Sequence, residues 1–169
     1  MNLEAFKKDI LPIKNKLYRV ALRITGNPAE AEDVVQEVFI KVWELRERME
    51  EVNNIEAWCM QLTKNKSIDK RRLRFNQSEE LNTAYGLSSG NHTPDRQAEL
   101  NDAVSQVRQL MGQLPENQKI AMQMRDIEGL SYQEIGEALG MPLQQVKTNI
   151  FRARKSIRTK LMQLWATNS

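Results

Sequence analysis

The sequence predicts an all-α protein of two small helical domains joined by a flexible linker, with a helix-turn-helix in the second domain. Three observations carry this. Apolar residues recur at helical rather than alternating spacing. Nearly all of the five prolines and seven glycines fall where such a run begins or ends. One stretch, about residues 76–93, is polar, small and aperiodic. The expected division is 1–75, 76–93 and 94–169, in a chain of 169 residues that leaves no room for a large barrel.

In the first segment Leu3, Phe6, Ile10, Ile13, Leu17, Val20, Ala21 and Ile24 repeat at helical spacing, with Pro12 a kink or restart. Gly26-Asn27-Pro28 closes it and opens the next helix, because Asn caps well and proline lacks an N–H that the first helical position does not need. From Pro28 to about Arg48, Ala31, Val34, Val35, Val38, Val42 and Leu45 share one face, and Asp33, Gln36, Glu37, Ile40 and Glu44 the other. A polar loop follows at 49–54. The third helix is expected to run to about Arg74, with Ile55, Trp58, Leu62 and Ile68 inward. Beyond the linker, Thr93-Pro94 restarts a helix to about Met111. Leu114-Pro115 begins another, with Ile120, Met124 and Ile127 inside and Gly129 as its stop.

Composition removes several function classes. A single Cys59 excludes an internal disulfide framework, and with the single His92 it leaves no basis for a Cys/His metal cage. The amphipathic, charged N-terminus is unlike a signal peptide, and no window suits a membrane span. The expectation is a cytoplasmic protein without cofactor, metal or membrane insertion. Nor does any catalytic pair, phosphate-binding glycine loop or ligand cluster suggest an enzyme or a small-molecule substrate.

Ser131-Tyr132-Gln133-Glu134 reads as a capping box, Gly140-Met141-Pro142 as a turn, and Val146, Ile150, Ala153, Ile157, Leu161 and Leu164 as the inner stripe of a long final helix. Its outer face carries Lys147, Thr148, Phe151, Arg152, Lys155 and Arg158, and no acid occurs from Lys147 to Ser169. Basic residues near a helix end can simply oppose the macrodipole. Phe151 argues against that alone: it lies about 140° from Val146, among cations, where water gives an aromatic ring no reward. In a major groove the ring suits a thymine methyl while Arg152 and Lys147 reach base edges or phosphates.

A second basic run, Lys64, Lys66, Lys70, Arg71, Arg72 and Arg74, ends the third helix, with Asp69 placed to pair with Arg72 or Lys66. Two basic sites on one tether suggest a bivalent hold on DNA. The Asn-rich loop before Trp58 suits an unpaired base edge, while Trp58 itself, in phase with Leu62, also fits a core. By contrast, the second helix carries Glu30, Glu32, Asp33, Glu37 and Glu44 and would repel phosphate. Ile40 amid those acids fits either a tolerated surface residue or the apolar centre of a protein-docking face.

These pieces, in order, resemble the bacterial sigma factors. Asp33-Val34-Val35-Gln36-Glu37-Val38-Phe39, Lys41-Val42-Trp43, Ile55-Glu56-Ala57-Trp58 and Asn65-Lys66-Ser67-Ile68-Asp69-Lys70-Arg71-Arg72 look like their second conserved region. Leu114-Pro115-Glu116-Asn117-Gln118, Gly129-Leu130-Ser131-Tyr132-Gln133-Glu134-Ile135-Gly136 and Val146-Lys147-Thr148-Asn149-Ile150-Phe151-Arg152-Ala153-Arg154 look like the fourth. With only a linker between them, the chain is similar to the extracytoplasmic-function (ECF) group of sigma-70-type factors, over roughly residues 10–75 and 95–162. The resemblance implies an alternative sigma factor that binds core RNA polymerase through its β′ clamp helices and β subunit and directs promoter recognition, DNA opening and initiation.

It implies polymerase docking by Asp33, Gln36, Glu37 and Phe39, which Ile40 joins by its place among the acids of that face. Minus-ten contacts fall to Asn53, Asn54, Trp58, Asn65, Lys66, Arg71 and Arg72. Minus-thirty-five contacts fall to Gln144, Gln145, Lys147, Thr148, Phe151, Arg152 and Lys155. It also implies an anti-sigma partner. Gln144-Gln145 and Asn149 depart from frequent family residues, as does Cys59-Met60. Two other readings stay open on the residues: a stand-alone helix-turn-helix regulator of duplex DNA, and a two-domain protein-interaction adaptor.

Overall fold

The computed structural model describes residues 1–81 and 102–167, with the side chains of 78–81 excepted. Helix α1 (Leu3–Asp9) is capped by the Asn2 side chain, which accepts from the Ala5 N–H at 2.8 Å. Pro12 lies in a 3₁₀ turn, Leu11–Ile13, that restarts the chain as α2 (Lys14–Thr25). Gly26, left-handed at φ 67°, ends α2, a conformation a Cβ would strain. Asn27 then caps α3 (Pro28–Glu44) by accepting from the Glu30 N–H at 3.0 Å. The helix stops at Glu44 rather than near Arg48, and much of the expected loop is a 3₁₀ turn, Arg46–Glu51.

Helix α4 (Ile55–Leu81) runs well past Arg74, so the expected linker begins inside a helix. No proline or glycine interrupts the chain before Gly86, and Gln77, Glu79, Glu80 and Leu81 are good helix formers. The rest of the tether and the expected helix start at Pro94 lie outside the described residues.

The C-terminal part comprises α5 (Asp102–Gly112), α6 (Glu116–Met122), α7 (Tyr132–Leu139) and α8 (Leu143–Thr167). A π-helical turn, Gln123–Ile127, follows α6 directly. Its wider turn shifts the helical phase, and Ile127, expected inside, is 49% exposed. Leu164, also expected inside, is 41% exposed because the packed stripe of α8 ends one turn earlier, at Leu161. Among the described residues there is no strand.

Ser131 and Glu134 form the full capping box at the start of α7. Gly140, at φ 66°, closes α7 and turns the chain into α8. A Cβ on Gly136 would lie 3.0 Å from the Met141 carbonyl oxygen, a tight contact with the backbone of the turn that glycine avoids.

The two parts share a core. α4 packs on α2 and α3 and also on α7. One apolar cluster joins Leu17, Val20, Val34, Val38 and Met60 to Met124, Leu130, Ile135 and Ile150. A second holds Leu110, Met111, Leu114, Met122, Ala153 and Ile157 beneath α8. Ile135 is fully buried where α7 meets this shared core. Ile135→Ala is expected to lower stability by about 2–5 kcal/mol in urea unfolding; an unchanged midpoint would show that α7 is not packed as described.

Candidate nucleic-acid interface

The outer face of α8 presents Gln144, Gln145, Lys147, Phe151, Arg152 and Lys155 to solvent, with Thr148 half-buried and its hydroxyl donating to the Gln144 carbonyl at 3.0 Å. Phe151 is 66% exposed. With Tyr132, Lys147, Ile150, Arg154, Lys155 and Arg158 it lines a shallow open hollow. Arg154 is fixed as a fork on Asp126, its Nε 3.0 Å from Oδ2, and this bonding raises the guanidinium pKa further. Arg125 lies over the Tyr132 ring at 4.6 Å, which orients the ring at the edge of the hollow. Sequence reasoning found the α8 cations but not Tyr132 and Arg154, whose placement depends on α7 and the π turn.

The residues assigned to docking split between two flanks of α3. Asp33 and Gln36 are exposed, and Ile40, 57% exposed, has no core to enter. Glu37 is held by Lys70 of α4 at 3.3 Å. Phe39 lies edge-on to Phe6 of α1 with ring centres 5.8 Å apart and lines a groove of about 420 Å³ with Leu11, Tyr18, Val35 and Gln36, so that Gln36 borders both flanks. The role of α1 escaped the sequence, which gave only its periodicity.

The residues assigned to the minus-ten strand lie on the loop before α4 and along that helix. Asn53, Asn54 and Trp58, with Val52, Ala57 and Gln61, line a cleft of about 160 Å³. Trp58 packs partly against the core, as its phase with Leu62 predicts, and partly faces the cleft. Asn65 and Arg72 are exposed and Lys66 half-buried. Asp69 pairs with neither Lys66 nor Arg72. The cations of this run reach other helices instead, Lys70 to Glu37, Arg74 to Glu30 at 2.9 Å and Arg71 to Glu116 at 2.7 Å.

Several of these groups are already engaged by the C-terminal part. Asn54 spends its Oδ1 on the Ala57 N–H at the start of α4, and its Nδ2 donates to Glu134 Oε2 at 2.9 Å. Glu137 lines the same cleft from α7. Nearby, Arg19 of α2 grips Glu128 with Nε at 3.0 Å from both carboxylate oxygens and Nη2 at 2.6 Å from Oε1. The Glu128 side chain is 0% exposed, and the Gln123 amide completes its shell at 2.9 Å. A carboxylate so buried needs such partners, since desolvating it alone costs several kcal/mol.

Cys59 is fully buried, and burial pushes its thiol up to about 12, which leaves it protonated and inert at neutral pH.

Two family models match the chain in order: "Sigma-70 region 2" over residues 12–76 and "Sigma-70, region 4" over residues 105–157. The chain is 30% identical over 166 residues to the ECF RNA polymerase sigma factor SigW of Bacillus subtilis, covering 92% of this chain and 89% of that one. The chain belongs to the ECF sigma factor family. It is an alternative sigma factor of transcription initiation. SigE of Mycolicibacterium smegmatis is 32% identical over 87% of this chain, which spans 58% of that longer relative. The sigma factor RpoE of Bartonella quintana, solved in complex with the anti-sigma factor NepR, has the same fold, with a TM-score of 0.77 at 21% identity over 95% of this chain and 98% of that one. Among the described residues no helix is long and apolar enough to cross a membrane.

The capping carboxylate of Glu134 titrates below the usual range, chiefly because the Ser131 N–H donates to it, with the Asn54 amide adding to the effect and partial burial opposing it. A depressed folded pKa contributes stability that is complete above the ordinary carboxyl value and disappears as pH falls through the lowered one. Glu134→Gln is therefore expected to destabilise the fold at neutral pH and to make no difference under acid conditions below that lowered pKa. A pH-independent difference in unfolding free energy would contradict this.

Proposed function

We propose that this ECF sigma factor recruits core RNA polymerase through α3 and reads a promoter with two separate surfaces. Asp33, Gln36, Glu37, Phe39 and Ile40 dock on the β′ clamp helices, with further contacts to the β subunit. An apolar centre rimmed by acids is interface anatomy, and one helix is too small to hold a partner alone. Lys147, Thr148, Phe151, Arg152 and Lys155, with Gln144 and Gln145, enter the major groove of the minus-thirty-five element. Asn53, Asn54, Trp58, Asn65, Lys66, Arg71 and Arg72 take the minus-ten strand. Unstacking a base costs a few kcal/mol, which a fitted cleft partly offsets.

The polymerase supplies the chemistry, and this chain supplies the address and the opening of the strands, in the cytoplasm. The observation that carries the reading is an aromatic ring standing in solvent among the cations of a helix-turn-helix, on a chain whose other half matches region 2 of the sigma-70 factors. An anti-sigma partner that covers these faces is expected, in line with the complex in which the Bartonella quintana relative was solved.

Transcription in vitro with core polymerase on a pool of random promoters tests the function. Added chain is expected to create new, sequence-defined start sites, and Asp33→Arg with Glu37→Arg to abolish both those starts and association with core enzyme while helicity is kept. Retained association would refute the docking face. In the same assay Arg152→Ala is expected to alter preference at one or two upstream bases by about 1–3 kcal/mol each. Uniform weakening on every sequence would make Arg152 a phosphate contact.

A further inference from the structure

Four acids of the C-terminal part face the N-terminal part, and three of them meet a group that the promoter reading needs. Glu134 accepts from the Asn54 amide at 2.9 Å, and Glu137 forms a wall of the cleft with Asn53 and Trp58. Glu116 holds Arg71 at 2.7 Å. Glu128, buried, is gripped by Arg19 and braced by Gln123, whose own Oε1 accepts from Arg23 at 3.0 Å. Carboxylates and phosphates are anionic acceptors that the same amides and guanidinium groups bind. The exposed face of α8 takes no part in these contacts.

We propose that the acidic side of α6–α7 stands in for the promoter strand: in the free chain Glu116, Glu134 and Glu137 fill the minus-ten surface, and the Arg19–Glu128 clamp latches them there. The chain closes its own strand-opening site while leaving the minus-thirty-five helix open, so duplex recognition precedes strand capture, and capture requires the two parts to separate. This rests on the minus-ten assignment above. Arg19 and Glu128 lie outside that assignment, so the latch can be broken without touching the reading residues.

The discriminating variant is Arg19→Glu in the full chain, because it makes the protein more negative, and general electrostatics then predict weaker DNA binding. The latch predicts the reverse. Amide hydrogen exchange at residues 53–58 should quicken, and a fluorescein-labelled single-stranded oligodeoxynucleotide of random sequence should bind roughly tenfold tighter, as expected when the competent state stops being a minor one. Arg19→Glu with Glu128→Arg, whose net charge equals that of the native chain, should restore slow exchange and weak binding, and circular dichroism checks that each variant folds. Unchanged exchange in Arg19→Glu overturns the latch and leaves the minus-ten assignment standing. Faster exchange without tighter binding overturns the assignment of this cleft to the strand, and the mimicry with it.

Discussion

Helix α4 has to be buried on two sides. Most surface helices hide one apolar stripe, but α4 packs on α2 and α3 along one flank and on α7 along another. Ala57, Cys59 and Met60 are buried near its start, and even Thr63 and Ser67 are sealed from water. Remove α7, and the beginning of α4 loses its cover. The arrangement of the whole chain follows from this, because the helix that carries the candidate strand-reading residues is also the helix on which the second domain rests.

Polar groups at that junction are arranged by the same constraint. Burial of Glu128 demands a guanidinium and an amide, which Arg19 and Gln123 supply. The Asn54 amide, placed at the start of α4, has one end committed to its own helix and the other free to take Glu134. Contacts of this kind hold position more than they add stability, since Arg19 is itself half in water. Apolar burial supplies the association, and the acids decide which surfaces it covers.

Local features were legible in the sequence. The Asn27-Pro28 start, the Ser131–Glu134 box and the Gly140 turn each reside within four residues, and their hydrogen bonds follow from residue type and spacing. Phe151 was legible because a helical phase places it outside whatever the tertiary fold does. Ile127 was misplaced because a π turn changes the phase, and no single residue type announces one. The end of α4 was misplaced because a polar stretch of good helix formers resembles a tether. Arg19–Glu128 and Asn54–Glu134 join residues 109 and 80 positions apart, and nothing in one sequence pairs them. Likewise Lys70, Arg71 and Arg74, close to Asp69 in the chain, reach across to α3 and α6, to partners that no local pattern encodes.

What remains decisive is whether the two domains lie against each other in solution. Small-angle X-ray scattering on the isolated full chain measures this without reference to promoter or polymerase. The account predicts a radius of gyration of about 16 Å, that of a compact protein of this length. A clearly larger value, with a scattering profile of two separated bodies, would contradict it.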